Sequence, residues 1–254
     1  MRTQLELVAL ATLTALLWLL AGETRAGDFR DAQRSVTRYR EAEARRLPEV
    51  EAEFREAGAA WPPRGLFLRA YKQEGEVELW AAPARGERYV RVRIFPICMA
   101  SGVLGPKVRE GDLQVPEGLY EIQAFQPHSR FHLALKVSYP NATDRRRAAR
   151  LGVPTGGDIM VHGSCVTIGC LPLRDEPMEA LYVAAVLARD RGAGRIPLHI
   201  HPCRYSEASC RAALEARPEW SAHWARLAVA DALFAAEGTP PAERRLAALP
   251  LPGL

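Results

Sequence analysis

The residues best suited to chemistry lie in one stretch, residues 158–173, which reads DIMVHGSCVTIGCLPL. A short apolar run ends at His162, and Gly163 and Gly169 bracket a turn that leads to Cys170. A thiol attacks as the thiolate, so a working cysteine needs a neighbouring base such as histidine. Gly169 places no side chain beside the sulfur, and the amides of Gly169 and Cys170 are candidates to bind the oxygen of an attacked carbonyl. The stretch therefore contains a base, a nucleophile and candidate oxyanion donors.

Two other interpretations fit the same residues. Cys165 and Cys170 could ligate zinc together with His162, although the spacing matches no common zinc finger or ribbon. The stretch could also be a buried strand that carries a disulfide cysteine, since exported proteins often bury or bridge their cysteines. Spacing alone leaves all three interpretations open.

The segment HGSCVTIGC resembles the active-site signature of the L,D-transpeptidase catalytic domain, the YkuD-type family, in the form found in its YafK-like branch. The family pattern is a His-Gly pair, a spacer, and then Ser/Thr-His-Gly-Cys followed by Arg. Here His162 and Gly163 form the pair, and residues 167–170 (TIGC) form the second half. Ile168 stands in place of the second histidine, Leu-Pro-Leu follows the cysteine where arginine is expected, and the spacer is short.

Two segments upstream carry the same resemblance. Residues 101–122 contain GPK…EGD…PEGLY, and residues 138–148 contain Tyr-Pro-Asn…Asp-Arg. The first segment is expected to be mostly a structural hairpin, in which Lys107 is more simply solvated than bound to a substrate carboxylate. The second is expected to be a polar loop, in which the run Arg145 to Arg147 either stays solvated or binds a carboxylate or phosphate.

The resemblance implies an α+β fold with a mainly antiparallel, β-sandwich-like L,D-transpeptidase core and flanking helices at both ends. It also implies acyl transfer on peptidoglycan stem peptides, with Cys170 as the nucleophile that carries a thioester and His162 as its general base. The amide of Gly169 would bind the oxyanion. Gly163, Thr167 and Arg145 are the candidate substrate-binding residues, and no metal or cofactor is implied.

The resemblance leaves the acyl acceptor open. An amine of a neighbouring stem peptide would give a 3-3 cross-link, whereas water would make the protein an amidase or hydrolase that cuts stem peptides or releases wall-attached proteins. A non-catalytic wall-binding module is the alternative from another class. No side chain is an obvious partner to orient His162; the resemblance suggests a backbone carbonyl near Gly163, and Asp158 is the weaker candidate.

The N-terminus predicts export. Arg2 precedes an apolar run over residues 7–20, and small residues near Ala26 suit cleavage, so a signal peptide is favoured over an uncleaved membrane anchor. The net charge is +4, and no basic stripe with interleaved aromatic residues suggests nucleic acid as a partner. An exported protein of this kind acts in the periplasm or the cell envelope.

Export would bring all five cysteines into an oxidising compartment. If Cys170 stays free, the other four can pair in three ways: Cys203 and Cys210 could bridge locally, or Cys98 could pair with either of them. Cys165 is interpreted as a packing residue rather than a resolving thiol.

The remaining patterns predict four regions: a leader over residues 1–26, a helical extension over 27–60, a catalytic domain over 61–205, and C-terminal helices with a Pro-rich tail over 206–254. Pro48 should split the extension into two helices. Strands are expected at residues 66–71, 76–81, 89–98 and 131–137, and Asp175 should be the N-cap of a helix. In the strand over 195–203, His199 and His201 share one side; they suit surface or hydrogen-bonded strand residues better than zinc ligands with Cys203.

Overall fold

The computed structural model describes residues 27–242 and 245–246. The predicted leader, residues 1–26, lies outside the described residues, as does most of the Pro-rich tail. Within the described ranges, none of the helices has both the length and the apolar character needed to cross a bilayer.

In the part of the chain that the structure describes, six α-helices and eight strands form an α+β structure, which confirms the predicted fold class. The helices are α1 (Asp28–Arg34), α2 (Thr37–Glu56), α3 (Ala142–Leu151), α4 (Asp175–Asp190), α5 (Ala208–Glu215) and α6 (Ser221–Glu237), with a 3-10 turn at Pro218–Trp220. The strands are β1 (Leu66–Tyr71), β2 (Glu76–Ala81), β3 (Val90–Pro96), β4 (Gly118–Gln126), β5 (Ala134–Val137), β6 (Met160–His162), β7 (Leu171–Pro172) and β8 (Ile196–His201).

All eight strands join one curled sheet in the order β3-β2-β1-β8-β4-β5-β6-β7. The pairs β1–β8 and β6–β7 are parallel, and the other pairs are antiparallel. The predicted mainly antiparallel sheet is therefore present, with a parallel pair at the edge that carries the His162 and Cys170 stretch.

The main core lies on one face of this sheet. Alternate residues of the strands, such as Leu68, Leu198 and Val161, point to this face, as the two-residue period of a strand requires. The face packs against α4, which is buried over most of its length, and α2 covers α4 through the ring contact between Tyr39 and Tyr182 at 5.6 Å.

The opposite face is covered by α6 over only part of its width. Phe234 of α6 contacts the rings of Phe67 on β1 and Trp80 on β2 at 4.8 and 4.9 Å. Trp224 and Leu227 of the same helix pack in a second apolar cluster with Leu119 of β4. Strands β5, β6 and β7 lie beyond this cluster in the sheet order, so α6 and its apolar cluster do not cover their residues on this face.

The structure corrects two predicted helix boundaries. Pro48 lies inside α2, and the break between the first two helices falls at residues 35–36, where Val36 is extended. The burial of Val50 and Phe54 beyond the proline offsets its cost within the helix. Asp175 is the first helical residue of α4 rather than its N-cap, and its carboxylate instead accepts a hydrogen bond from the Ser164 amide at 2.6 Å.

The predicted polar loop at residues 138–148 is mostly helix, because α3 begins at Ala142. Asn141 caps this helix by accepting hydrogen bonds from the amides of Thr143 and Asp144, while the Asp144 carboxylate accepts one from the Asn141 amide. This reciprocal capping box stabilises a helix of low apolar content. The predicted hairpin at residues 101–122 is also wrong, since residues 97–117 form an irregular loop before β4.

The disulfides join Cys98 to Cys165 and Cys203 to Cys210, and Cys170 is free. The local Cys203–Cys210 bridge is one of the predicted alternatives. The interpretation of Cys165 as a packing residue is wrong, because its sulfur is bonded to Cys98.

Candidate active site

Strands β6 and β7 place His162 and Cys170 on the same face of the sheet. The register pairs Val161 with Leu171 and His162 with Pro172, so one step back along the strands sets Cys170 beside Met160. Val161 and Leu171 point into the main core, and the residues that alternate with them point to the other face. Two residues of strand, about 6–7 Å, therefore separate the levels of the imidazole and the thiol.

His162 is held in a defined tautomer by the chain itself. Its Nδ1 lies 2.5 Å from the carbonyl oxygen of Gly163, and only a protonated nitrogen can donate to that acceptor. The lone pair of Nε2 is then left to accept a proton. The expectation that a carbonyl near Gly163 orients the histidine agrees with this contact, whereas the Asp158 carboxylate pairs with Lys136 at 2.7 Å.

Burial keeps the imidazole neutral. His162 is 1% exposed, and the ring of Phe131 lies 4.9 Å from it, centroid to centroid. Burial lowers the pKa of His162 below its ordinary value, and the hydrogen bond to Gly163 opposes that shift only in part. A neutral imidazole with a free Nε2 is the form that acts as a general base near neutral pH.

Cys170 is half-buried and protonated at rest. Burial raises the pKa of its thiol, and the Asp158 carboxylate adds to the rise while Lys107 opposes it. The sulfur lies 3.7 Å from the Asp158 carbonyl oxygen, and among the described residues no hydrogen bond joins it to the His162 ring. The resting pair is thus a neutral thiol and a neutral imidazole, so the thiolate must form as the substrate is attacked.

A tight turn around Thr167 presents the nucleophile. The Thr167 hydroxyl accepts hydrogen bonds from the amides of Gly169 at 3.1 Å and Cys170 at 2.8 Å, and donates one to the Cys170 carbonyl at 2.8 Å. Gly169 has φ +138°, and a Cβ there would lie 3.0 Å from the Gln114 carbonyl oxygen, so only glycine fits. The predicted oxyanion donors are therefore not free at rest: both amides bind Thr167, which was predicted to bind substrate.

Gly163 is buried, and its backbone packs closely against neighbouring residues. A Cβ at this position would lie 2.7 Å from the Asp175 carboxylate and 2.8 Å from the Cβ of His132. Its carbonyl orients His162, and the next amide, that of Ser164, is held by Asp175. The geometry thus supports a positioning role for Gly163 in place of the predicted substrate contact.

Backbone strain is concentrated around this site. The described non-glycine residues with positive φ are Leu113, His132, Asp158, Ser164 and Arg174. Asp158 and Ser164 belong to the stretch that carries His162 and Cys170. The other three residues are each the neighbour, in sequence, of a residue that contacts this stretch. Such conformations cost of order 1–3 kcal/mol each and cluster at functional sites.

A cavity of about 240 Å³ opens beside Cys170. Its lining is mostly apolar and comes from Ile97, residues 100–104, Val115, residues 170–171 and Lys72 with its neighbour Gln73. The Lys72 ammonium binds three backbone carbonyls of the 97–117 loop at 2.9, 2.9 and 3.0 Å and the buried carboxylate of Glu117 at 3.0 Å. The cavity therefore presents a largely uncharged surface to a ligand.

Arg145 lies away from this cavity. Its guanidinium donates to the Pro140 carbonyl at 2.5 Å near the start of α3. It lines a different depression, together with Glu121 and Arg195, that shares no lining residue with the cavity beside Cys170. The structure does not bring this predicted substrate-binding residue to the candidate active site.

The two zinc interpretations fail on the disulfides. Cys165 is bonded to Cys98, and Cys203 is bonded to Cys210, so neither sulfur is available as the proposed ligand. His199 and His201, expected at the surface or hydrogen-bonded, are 2% and 0% exposed beneath α6, and one ring nitrogen of each lacks a hydrogen-bond partner in the described part of the chain.

Sequence reasoning missed three residues that shape the site. Phe131 covers the imidazole, but in the sequence it looked like an ordinary strand residue. Asp175 holds the Ser164 amide, although its position before a helical pattern suggested a cap. Glu117, in the PEG segment, is buried; its carboxylate forms an ion pair with Lys72 and accepts hydrogen bonds from the Gly105 amide and the Trp224 indole. A carboxylate between apolar residues is the sequence signal that could have indicated this buried anchor.

Comparison with known proteins shows which proteins this chain resembles. No family model matches the chain. YafK of Escherichia coli K12, named for an inferred L,D-transpeptidase activity, is 32% identical over 148 residues, which cover 58% of this chain and 57% of YafK. The chain thus spans little more than half the length of this relative. The resemblance to YafK-like L,D-transpeptidases that HGSCVTIGC indicates is confirmed by this match.

Two solved structures are also similar. The helical cell shape determining protein Pgp2 from Campylobacter jejuni has a TM-score of 0.43 and 19% identity, over 61% of this chain and 56% of Pgp2. L,D-transpeptidase 1 from Mycobacterium tuberculosis has a TM-score of 0.30 and 17% identity, over 54% of this chain and 61% of that protein.

Proposed function

We propose that this protein is a cysteine-dependent acyltransferase that acts on peptidoglycan stem peptides through a thioester at Cys170. One observation carries the proposal: Cys170 is the free thiol among five cysteines, it lines a cavity, and it lies on the same face of the sheet as a neutral, oriented histidine. Similarity to YafK, which is named for an inferred L,D-transpeptidase activity, supports this substrate class.

The first half of the reaction forms the thioester. Nε2 of His162 takes the thiol proton as Sγ of Cys170 attacks the carbonyl carbon of the third residue in a tetrapeptide stem. The tetrahedral intermediate then collapses, the bond to the terminal D-alanine nitrogen breaks, and the imidazolium returns the proton to the departing amine. The amides of Gly169 and Cys170 serve as oxyanion donors if the substrate oxygen replaces the Thr167 hydroxyl as their acceptor.

The second half resolves the thioester. An amine of a neighbouring stem attacks the same carbonyl, His162 accepts its proton, and Sγ leaves as the thiolate and is reprotonated. The product is a 3-3 cross-link. The resting neutral pair makes both halves depend on His162, because the thiol does not ionise by itself near neutral pH.

A hydrolase of the same fold is the second candidate. It is favoured by the uncharged cavity, whose lysine is already bound to four acceptors, so that no described lining cation is left to hold the carboxylate of a second stem. Water would then replace the amine, and the enzyme would cut stem peptides or release wall-attached proteins.

The proposed location is the periplasm or cell envelope, with residues 1–26 as a signal peptide or membrane tether. Two disulfides support it, because they form and persist in oxidising compartments.

The test is mass spectrometry of muropeptides after incubation of the protein with tetrapeptide-rich peptidoglycan. New cross-linked dimers made by the unmutated protein and absent with Cys170→Ala establish the transpeptidase. Cysteine-dependent cleavage products without dimers establish the hydrolase. A folded Cys170→Ala protein with full turnover would refute the thiol mechanism, and wall binding without turnover in both proteins would favour the wall-binding module.

A further inference from the structure

The segment between the base and the nucleophile has little packing of its own. Residues 163–169, here called the active-site loop, contain no helix or strand. Val166 and Ile168 are 51% and 76% exposed, so the apolar side chains of the loop do not anchor it. Its position must come from specific bonds, since an exposed irregular segment with few buried contacts otherwise opens readily.

Hydrogen bonds hold each end of the loop. At the first end, the Ser164 amide donates to Asp175 at 2.6 Å, and the Ser164 carbonyl accepts from the Arg174 amide at 3.1 Å. At the second end, the Thr167 hydroxyl binds the amides of Gly169 and Cys170. The middle of the loop, Cys165 and Val166, is tied through the disulfide to Cys98.

Cys98 supplies a rigid anchor for that disulfide. It follows β3, and its amide donates to the carbonyl of Pro172 on β7 at 3.0 Å, two residues beyond the nucleophile. Its own sulfur lies 3.5 Å from the Ser164 carbonyl. Ile97, which precedes Cys98, and Ala100, two residues after it, line the cavity beside Cys170. The disulfide thus joins the segment that forms one wall of the cavity to the loop that leads to the nucleophile.

We propose that the Cys98–Cys165 disulfide is a positioning element of the active site, which fixes the active-site loop so that Cys170 faces both His162 and the cavity. Cys98 and Cys165 are positioning residues in this assignment, because they act through Cys170. The inference rests on the proposed function only in taking Cys170 as the nucleophile.

The second disulfide is a matched control within the same chain. Cys203 and Cys210 are separated by 7 residues, they join the end of β8 to α5, and both are fully buried. Neither lines the cavity beside Cys170. Removing this bridge should therefore affect stability without changing the environment of the nucleophile.

Loss of the first disulfide should change turnover and thiol reactivity in opposite directions. A displaced nucleophile lowers kcat, by about 10- to 100-fold for a misplacement near 1 Å. A loosened loop also hydrates Cys170, which removes part of the burial that raises the pKa of its thiol. Alkylation by iodoacetamide should consequently become faster at neutral pH, and its pH midpoint should fall.

The experiment compares the unmutated protein with the double variants Cys98→Ser/Cys165→Ser and Cys203→Ser/Cys210→Ser. For each, kcat and KM on muropeptides, the rate of Cys170 alkylation from pH 6 to 10, and the thermal unfolding midpoint are measured. We expect a lower kcat and an alkylation midpoint shifted to lower pH in the first variant. The second variant should keep both at the unmutated values even where its unfolding midpoint falls.

A folded Cys98→Ser/Cys165→Ser protein with the unmutated alkylation profile would overturn the proposal. Because this readout needs no substrate, it separates failure of the proposal from failure of the proposed function, in which no protein turns over muropeptides. If that variant does not fold, a dithiol is added to Cys203→Ser/Cys210→Ser. The dithiol is oxidised as the remaining disulfide takes two electrons and two protons to give two thiols, and an unchanged Cys170 alkylation profile after this reduction would likewise refute the proposal.

Discussion

Two strands of this protein carry histidine on the same face of one sheet, and only one of them is part of a candidate active site. In β8, His199 and His201 are followed by Cys203; in β6, His162 is followed by Cys170. The two stretches look alike in sequence, since each delivers an imidazole and a thiol within a few residues. The difference lies in what covers them and in which sulfur is left free.

Around β8 the face is closed. His199 packs against Phe67 at 4.7 Å, and α6 covers the strand. Burial lowers the pKa of His199 well below its ordinary value and that of His201 to about 3, with Arg69 adding to both shifts. Cys203 is locked in a disulfide. These groups are neutral, unreactive parts of the core.

Around β6 the same face is not covered by α6, because that helix and its apolar cluster end before β5. His162 is as buried as the β8 histidines, but its Nδ1 has a partner and its neighbour Cys170 reaches a cavity. The comparison teaches that a histidine and a cysteine become a candidate site where the histidine has an oriented ring and the neighbouring thiol is unpaired and reaches a cavity.

The largest expected effect separates the two histidines directly. His162→Ala should lower kcat/KM by about 10²- to 10⁴-fold, the usual contribution of a general base. His201→Ala should instead destabilise the protein by about 1–3 kcal/mol, as loss of a buried side chain does, with kcat per folded molecule unchanged. Both variants are compared by muropeptide turnover, which measures kcat/KM, and by denaturant unfolding, which measures stability. Equal turnover in the two variants would remove His162 from the mechanism.

The pH dependence sharpens the same contrast. His201 has a folded pKa of about 3 against an ordinary value of 6.5, so the unfolded chain binds more protons between these values and stability falls as pH falls through that window. Glu78 opposes the shift and Arg69 favours it. Turnover should be lost on the acid side at a pH below the ordinary histidine value, because the pKa of His162 is lowered. Urea unfolding from pH 4 to 8 tests the expected fall in stability, and turnover over the same range tests the expected acid limb.

The matching control is His201→Gln, which removes the titrating group. Its stability should depend less steeply on pH over the same window, whereas its turnover profile should keep the acid limb set by His162. A variant whose stability follows the same slope as the unmutated protein would show that other buried groups, His199 included, dominate the acid response.

A smaller effect should follow from loss of the turn that presents Cys170. Thr167→Val leaves the amides of Gly169 and Cys170 without their acceptor, which should cost about 1–2 kcal/mol and reduce kcat by about 10-fold as the nucleophile moves. Thr167→Ser keeps the hydroxyl, so its stability and its kcat should both lie close to those of the unmutated protein. A valine variant with unmutated kcat would show that the turn is held by the disulfide and Asp175 without the hydroxyl.

Much of this arrangement follows from local sequence patterns. The strands at residues 66–71 and 76–81 alternate or run apolar as buried strands do, and the signature of the histidine and cysteine stretch is specific enough to indicate the resemblance to YafK. The sides of β8 were also correctly assigned, with Ile196, Leu198 and Ile200 together. A period of two is a local property, so sequence alone is sufficient for it.

The features that the sequence does not predict depend on contacts between residues that are distant in the chain. Nothing local to His199 and His201 shows that α6 will cover them, and nothing local to Cys165 shows that Cys98, 67 residues away, will reach it. The predicted break at Pro48 failed because packing of Val50 and Phe54 outweighed the local preference. Such errors are expected wherever tertiary contacts decide among locally plausible states.

The smallest expected effect concerns Arg145, which local sequence placed at the substrate groove and the structure places elsewhere. Its guanidinium caps a carbonyl at the surface near α3, and its depression shares no residue with the cavity beside Cys170. Arg145→Ala should therefore change kcat/KM by less than about twofold and stability by about 0.5 kcal/mol or less, as exposed substitutions usually do. Muropeptide kinetics of this variant beside Thr167→Val provide the check. A rise in KM as large as that expected when a contact to a substrate carboxylate is lost would contradict this expectation. It would mean that the stem peptide extends from the cavity across β5 and β4 to α3, in one wide substrate groove.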